Sequence, residues 1–176
     1  WEEAGYAWRI SRDFMLWGDG KALNRALGRY PGGDYEDRFG AWYADAVEKP
    51  GRLGIKLMAA LPAQRPARKD VKAAFGKMKA GDLGEAALVG AELVHWLFDR
   101  CAQDGRVVTV HTGINFCTGV DFYPNSPQPV IAMALAHPDT KIDLYHGALP
   151  WVGEAAVIAN QCPNVYLNLV WMHQLS

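Results

Sequence analysis

The sequence predicts an α/β fold made of parallel β-α repeats. Four short apolar runs along its 176 residues have the length of buried strands, and helical patterns separate them. No hairpin turn joins two of these runs directly, so the strands are expected to be parallel. Because four strands are half of eight, we expect about half of a (β/α)8 TIM-like barrel.

The first half of the chain is predicted to be mostly helical. Helices are expected near Lys21–Leu27 and Tyr35–Val47, and Pro50-Gly51 ends the second one. The short apolar run Leu53–Met58 is predicted to be the first buried strand. The segment from Pro62 to Gly81 is rich in Pro, Lys, Arg and Ala, so we expect an excursion on the rim between strand and helix, with its charges on a solvated face.

The second half is predicted to alternate between helices and strands. A long helix has apolar residues at steps of three and four, and Gly105 can end it in a left-handed cap. In chain order the predicted elements are helix Gly84–Gln103, strand Val107–His111, helix Val130–Ala136, strand Ile142–His146, helix Val152–Asn160 and strand Val165–Val170. These repeats complete the four strands.

The predicted organisation is one partial barrel domain over residues 1–176. Residues 1–50 form a helical lead-in and residues 51–176 form the β-α repeats. The chain begins at Trp1 without an initiator Met, and we expect it to be part of a longer chain. A half-barrel exposes two sheet edges, so we also expect a homo-oligomer or association with the missing segments.

Composition excludes several classes of partner. Eighteen basic residues against nineteen acidic ones give a net charge of -1, which argues against nucleic acid and against an anionic membrane surface. No apolar run is long enough to span a bilayer. Three cysteines without CxxC spacing indicate reduced thiols and a cytoplasmic protein, although Cys117 remains an alternative nucleophile. The expected partner is a small-molecule substrate.

Two histidines follow neighbouring strands in the same way. His111 ends one predicted strand and His146 ends the next, and each is followed by a loop that contains glycine. Carboxyl ends of parallel strands meet at one edge of a sheet, so these side chains are expected to share a site. Lys56 interrupts an apolar strand, where it either orients an anionic substrate group or reaches solvent with its charged end.

An ordered set of motifs resembles the amidohydrolase superfamily, the metal-dependent (β/α)8-barrel hydrolases. The matching segments cover about residues 51 to 173, and they are Gly54-Ile55-Lys56-Leu57, Val110-His111-Thr112-Gly113, Asn125-Ser126-Pro127, His137-Pro138-Asp139-Thr140-Lys141, His146-Gly147 with Pro150 and Glu154, and Pro163-Asn164-Val165-Tyr166-Leu167-Asn168-Leu169. The family holds a divalent metal, commonly zinc, with a His-x-His pair, a fifth-strand histidine and an eighth-strand aspartate. His-x-His does not occur in this sequence, so we expect that pair outside it.

The resemblance implies a role for each candidate residue. His111 matches the fifth-strand metal ligand and His146 matches the sixth-strand catalytic histidine. Lys56, the second candidate catalytic residue, falls on the fourth strand, where some relatives carry a modified bridging lysine. The implied enzyme is a hydrolase that activates a metal-bound water for attack on an amide, ester or lactone bond of a small molecule. Two alternatives stay open: a decarboxylase or uronate isomerase of the same superfamily, and a non-catalytic barrel fragment that serves in binding or assembly.

Overall fold

Four parallel strands form one sheet in the computed structural model, which describes residues 18–46, 54–114, 121–170 and 172. The strands are β1 (Gly54–Met58), β2 (Val107–His111), β3 (Lys141–Tyr145) and β4 (Val165–Leu167). Their spatial order is β1-β2-β3-β4, the same as their order in the chain. An open doubly wound sheet reverses its strand order part-way across, whereas a β/α barrel adds strands in sequence. The α/β fold predicted from the sequence is therefore confirmed.

The described residues contain six α-helices. They are α1 (Gly20–Gly28), α2 (Tyr35–Ala46), α3 (Arg68–Lys79), α4 (Ala86–Gln103), α5 (Pro129–Ala136) and α6 (Val152–Gln161). The described residues form two compact units. A helical unit contains α1, α2 and Gln64–Leu97, and a sheet unit contains Gly54–Ala63 and the described residues from Phe98 onward. None of the described helices has the length and apolar character that crossing a bilayer requires.

An aromatic cluster fills the core of the helical unit. Tyr35 packs edge-on against Phe39 and Phe75, with ring centres 5.3 Å and 6.2 Å apart. Trp96 contacts Phe39 at 5.9 Å and Tyr43 at 5.7 Å in the same edge-on manner. Such pairs stabilise a core beyond the burial of their area. The aromatic residues of the predicted N-terminal helices that the structure describes are thus mainly packing residues.

Helix α3 lies in the segment from Pro62 to Gly81, which the sequence predicts only as an excursion on the rim. Within it, Arg68–Lys79 form a regular helix of 12 residues. Its buried residues are spaced for one helical face: Val71, Ala74, Phe75 and Met78. Exposed charged residues on the other face concealed this stripe in the sequence.

Other element bounds differ from the predictions by a few residues. Strand β2 has the predicted bounds, but β3 begins one residue earlier than expected and ends at Tyr145 instead of His146. Strand β4 ends at Leu167 instead of Val170. Leu53, the predicted first residue of β1, lies outside the described residues. Gly105 has φ +66°, so the left-handed end predicted for the long helix is confirmed.

Two sets of hydrogen bonds hold the end of α5 within the sheet unit. The side chain of buried Asn164 donates to three carbonyl oxygens, those of Ala134 and His137 at the end of α5 and that of Thr140 just before β3, at 3.0 to 3.2 Å. His137 Nδ1 lies 2.7 Å from the Asp99 carboxylate on α4. The bond from Asn164 to Ala134 satisfies a carbonyl group that the end of α5 leaves without a helical partner.

The two faces of the sheet differ in burial. One face is apolar and completely buried, and it consists of Ile55, Leu57, Val108, Val110, Ile142 and Leu144. The other, here called the open face, carries polar side chains that are only partly buried, with Lys56, Thr109 and Asp143 side by side in register. Met58 and His111 continue the open face toward the carboxyl edge. In a closed barrel such a face lines the interior.

Candidate functional site

His111 and His146 meet at the carboxyl edge of the sheet. His111 is the last residue of β2 and pairs in register with Tyr145, the last residue of β3. His146 follows Tyr145 directly. The two imidazole ring centres lie 4.8 Å apart with an interplanar angle of 78°. The structure therefore brings together the two histidines that the sequence selected.

A left-handed turn aims His146 at this site. His146 has φ +64°, Gly147 +53° and Ala148 +55°, so three successive residues leave the extended conformation of the strand. The turn is tied to the chain after β4, because the Gly147 N–H donates to the Asn168 carbonyl at 2.8 Å. Left-handed residues other than glycine cost free energy, and they persist where surrounding contacts fix them. This turn explains why β3 ends one residue before the predicted histidine.

Hydrogen bonds to carbonyl groups define the tautomer of each ring. His146 Nδ1 lies 3.3 Å from the Val170 carbonyl oxygen, and His111 Nε2 lies 3.2 Å from that of Ile114. A carbonyl oxygen can only accept, so each of these ring nitrogens carries the hydrogen. In the neutral rings, the lone pair is then on Nε2 of His146 and on Nδ1 of His111.

His146 is a neutral imidazole at physiological pH. Burial lowers the pKa of its ring from 6.5 to about 4. The hydrogen bond to the Val170 carbonyl acts in the opposite direction, whereas the neighbouring His111 and Lys56 lower the pKa further. A neutral ring keeps a lone pair that can take up a proton or a metal ion, and in His146 this lone pair is on Nε2, an atom buried in this structure.

The loops that follow β2 and β3 are fastened to one another. The Thr112 hydroxyl donates to the Tyr145 carbonyl at 2.7 Å, and both groups are buried. Gly113 has φ +75°, and a Cβ at this position would lie 2.2 Å from the Leu149 carbonyl oxygen. Only glycine permits this close approach. The glycine after His111 therefore has a structural reason to be there.

Lys56 lies on the open face, one layer below the histidines. It is the third residue of β1, and its Nζ atom lies 3.9 Å from the centre of the Tyr145 ring. Burial lowers the pKa of its ammonium from 10.5 to about 8, and the Asp143 carboxylate opposes this decrease. The charged end thus faces an aromatic ring, and the charge of Asp143, two strands away, acts on it electrostatically.

Asp143 and its neighbours are site residues that the sequence analysis missed. Asp143 Oδ2 accepts hydrogen bonds from Thr109 Oγ1 at 3.2 Å and from Asn168 Nδ2 at 3.1 Å. Burial raises the pKa of the Asp143 carboxyl, and the two hydrogen bonds and Lys56 act against this increase. The signal was present in the sequence: Ile142-Asp143-Leu144 repeats the pattern of Ile55-Lys56-Leu57, with the opposite charge in the centre.

A metal site at the histidine pair would need further protein ligands. The two rings contact each other edge-on with 4.8 Å between their centres, and a catalytic zinc is generally held by three protein ligands. Within the part of the chain that the structure describes, no group of three or more His, Cys, Asp or Glu residues is arranged to hold a metal ion. Cys117, the alternative nucleophile, lies outside that part.

Comparison with known proteins identifies no family. No protein-family model matches the chain. No curated protein sequence matches it either. The chain is similar to the crystal structure of an uncharacterized TIM-barrel protein from Bordetella bronchiseptica, with a TM-score of 0.39 and 18% sequence identity, over 91% of this chain and 69% of that one. The fold assignment rests on the strand order and register of this chain itself.

Proposed function

We propose that this chain carries part of the active site of a metal-dependent hydrolase that acts on an amide, ester or lactone bond of a small molecule. The observation that carries the proposal is the pair of imidazoles, 4.8 Å apart, at the ends of two adjacent parallel strands. Active sites of β/α barrels lie at this edge. The resemblance of the sequence motifs to amidohydrolases supports the same reaction class.

His111 is the proposed metal ligand. Its Nε2–H is directed to the Ile114 carbonyl, so Nδ1 offers the lone pair. A divalent metal, with zinc as the first choice, would supply Lewis acidity and lower the pKa of a bound water. The remaining ligands would come from residues outside the described set. Metal-binding histidines typically donate their second ring hydrogen to a carbonyl or carboxylate, as His111 does here.

His146 is the proposed proton-transfer residue. The Val170 carbonyl fixes its Nδ1–H, so Nε2 accepts a proton from the attacking water and passes it to the leaving group. Its pKa of about 4 means that the ring holds such a proton only transiently. Lys56 would act through His146: burial is the main cause of the low pKa of His146, and the positive charge of Lys56 is the smallest. Lys56 is thus a positioning residue in this reaction.

Metal binding tests the proposal most directly. Zinc bound to the purified chain should be measured by calorimetry and elemental analysis, and hydrolysis by p-nitrophenyl acetate turnover. His111→Ala should weaken zinc binding by at least about tenfold and lower turnover in parallel. His137→Asn is the matched control, because His137 pairs with Asp99 away from the strand ends and should keep zinc affinity.

Two outcomes would contradict the proposal. Zinc affinity that is equal in His111→Ala and wild type would remove His111 as a ligand. A folded chain that binds no zinc and turns over no ester would favour the non-catalytic binding or assembly module. Zinc binding without hydrolysis, but with loss of CO₂ from an aromatic acid or isomerisation of a uronate, would select the other reactions that the resemblance implies. Self-association and a cytoplasmic location stay predictions.

A further inference from the structure

We infer that Asn168 is a positioning residue for His146, because its side chain joins Asp143 to Val170 and so holds the carbonyl group that selects the tautomer of the imidazole. The inference rests on the proposed function, in which His146 transfers the proton, and it adds the residues that prepare this ring. Each link is a hydrogen bond between described residues of the sheet unit.

The backbone of Asn168, directly after β4, is attached to both sides of the turn that carries His146. Its N–H donates to the Leu144 carbonyl, and its own carbonyl accepts from the Gly147 N–H, each at 2.8 Å. Leu144 comes two residues before His146, and Gly147 comes directly after it. The backbone of Asn168 is therefore held at a defined position relative to the imidazole.

The side chain of Asn168 links a carboxylate to a backbone amide. Its Nδ2 donates to Asp143 Oδ2 at 3.1 Å, and its Oδ1 accepts from the Val170 N–H at 3.0 Å. The Thr109 hydroxyl donates to the same oxygen of Asp143 at 3.2 Å. A backbone N–H can only donate, so the oxygen of the Asn168 amide faces Val170 and the nitrogen faces the carboxylate.

Val170 passes this constraint on to the imidazole. Its N–H is held by Asn168, and its carbonyl oxygen lies 3.3 Å from His146 Nδ1. A side chain that accepts from the backbone two residues later restricts the local backbone conformation, and with it the direction of the following carbonyl. The carbonyl keeps the hydrogen on Nδ1 of His146, which leaves the lone pair on Nε2, the atom that the proposed reaction uses.

Nuclear magnetic resonance tests the inference on the full chain without added metal. At pH 8 the imidazoles are neutral and the carboxyl groups are ionised. Proton–nitrogen correlation spectra of histidine-labelled protein show which ring nitrogen carries the hydrogen, and the signals absent from His146→Gln are those of His146. Asn168→Ala should lower the ratio of the Nδ1–H to the Nε2–H tautomer about fivefold, the effect of one lost neutral hydrogen bond. An unchanged ratio would overturn the inference.

Asn164→Ala is the matched control. Asn164 also donates its side-chain hydrogens within the sheet unit, but to three carbonyl oxygens near the end of α5, and it precedes β4 whereas Asn168 follows it. This variant should lose stability and keep the tautomer ratio of the wild type. A ratio that falls equally in both alanine variants would overturn the inference, because general loosening of the fold would then explain the shift.

An exchange of two side chains tests the link to Asp143. Asn168→Asp keeps an acceptor for Val170 but sets two carboxylates against each other, so the tautomer ratio should fall. Adding Asp143→Asn restores one donor and one acceptor, and the Thr109 hydroxyl can accept instead of donate. The double variant should return to within about twofold of the wild-type ratio. A ratio as low as in Asn168→Asp alone would overturn this link.

Enzyme kinetics separate the inference from the proposed function. The imidazolium that forms during proton transfer makes a stronger hydrogen bond to the Val170 carbonyl than the neutral ring does, so Asn168→Ala should lower kcat about tenfold. Its KM for p-nitrophenyl acetate should change less than about twofold. A chain that turns over no ester, but whose His146 tautomer shifts in Asn168→Ala, would contradict the hydrolase alone and support the role of Asn168.

Discussion

Lys56 and Asp143 carry opposite charges on the open face, and burial disfavours the charge on each of them. Replacing both residues, as Lys56→Met with Asp143→Asn, should stabilise the protein at pH 7. Replacing Asp143 alone should destabilise it, because the ammonium then loses a carboxylate that favours its charge. Met is a suitable replacement, since its sulfur packs well against an aromatic ring such as that of Tyr145.

The expected size follows from the pKa of the lysine. A decrease from 10.5 to about 8 corresponds to about 3 kcal/mol for a fully desolvated group. Lys56 is only partly buried, so screening by solvent reduces this cost to about 1.5 kcal/mol. We therefore expect the double variant to gain about 1 kcal/mol and Asp143→Asn to lose about 1 kcal/mol. Lys56→Met alone should change stability little, because the relieved lysine is offset by an isolated carboxylate.

The effect has a defined pH dependence. Below about pH 8, Lys56 is protonated in both the folded and the unfolded chain, and its cost is fully present. Between about pH 8 and 10.5 the unfolded chain binds this proton and the folded chain does not, so the wild type gains stability relative to the double variant. Urea unfolding of all four proteins at pH 7 and pH 10 measures both effects. A double variant less stable than wild type at pH 7, or a difference that is the same at both pH values, would refute the reasoning.

Two predictions concern the supports of the site. Asn164→Ala should lower the free energy of unfolding, measured by urea titration, by about 2 kcal/mol. Asn164→Asp should lower it further, because a carboxylate would face the same three carbonyl oxygens. Equal stability of the two variants would contradict this prediction. Gly113→Ala should cost about 3 kcal/mol, since a Cβ would collide with the Leu149 carbonyl. Gly105→Ala is the control, because Gly105 also has a positive φ (+66°) but has open space where a Cβ would be. Its free energy of unfolding should fall by only about 1 kcal/mol. Equal losses of stability in the two variants would argue against the collision at Gly113.

The sequence predicts most of the fold because local signals agree. Strand β2 was predicted with its observed bounds, since an apolar run lies between Gly105 and the loop after His111. Helix α3 was missed because prolines and charges dominate the composition of its segment, although Val71, Phe75 and Met78 follow a helical period. A count of residue types hides such a stripe, whereas its spacing shows it.

The sequence predicts only those site residues whose positions follow from the order of the strands in the chain. Strand ends of a parallel sheet lie at one edge, so His111 and His146 could be placed together from the sequence alone. The contacts of Asp143 with Thr109 and Asn168 depend on register, which no local pattern specifies. The left-handed turn at His146 was equally hidden, because contacts with the chain after β4 hold it.

The order β1-β2-β3-β4 also bears on how the sheet assembles. Every strand pairs with its nearest neighbours in the chain. Pairing of β3 with β4 closes a loop from Ile142 to Val165, whereas pairing of β1 with β2 closes a longer loop from Gly54 to Val107. Loop-closure entropy favours the shorter pairing by about 0.7 kcal/mol. Assembly is expected to nucleate at β3 and β4 and to grow toward β1. His146 would then reach its position before His111, which joins the site only when β2 pairs with β3.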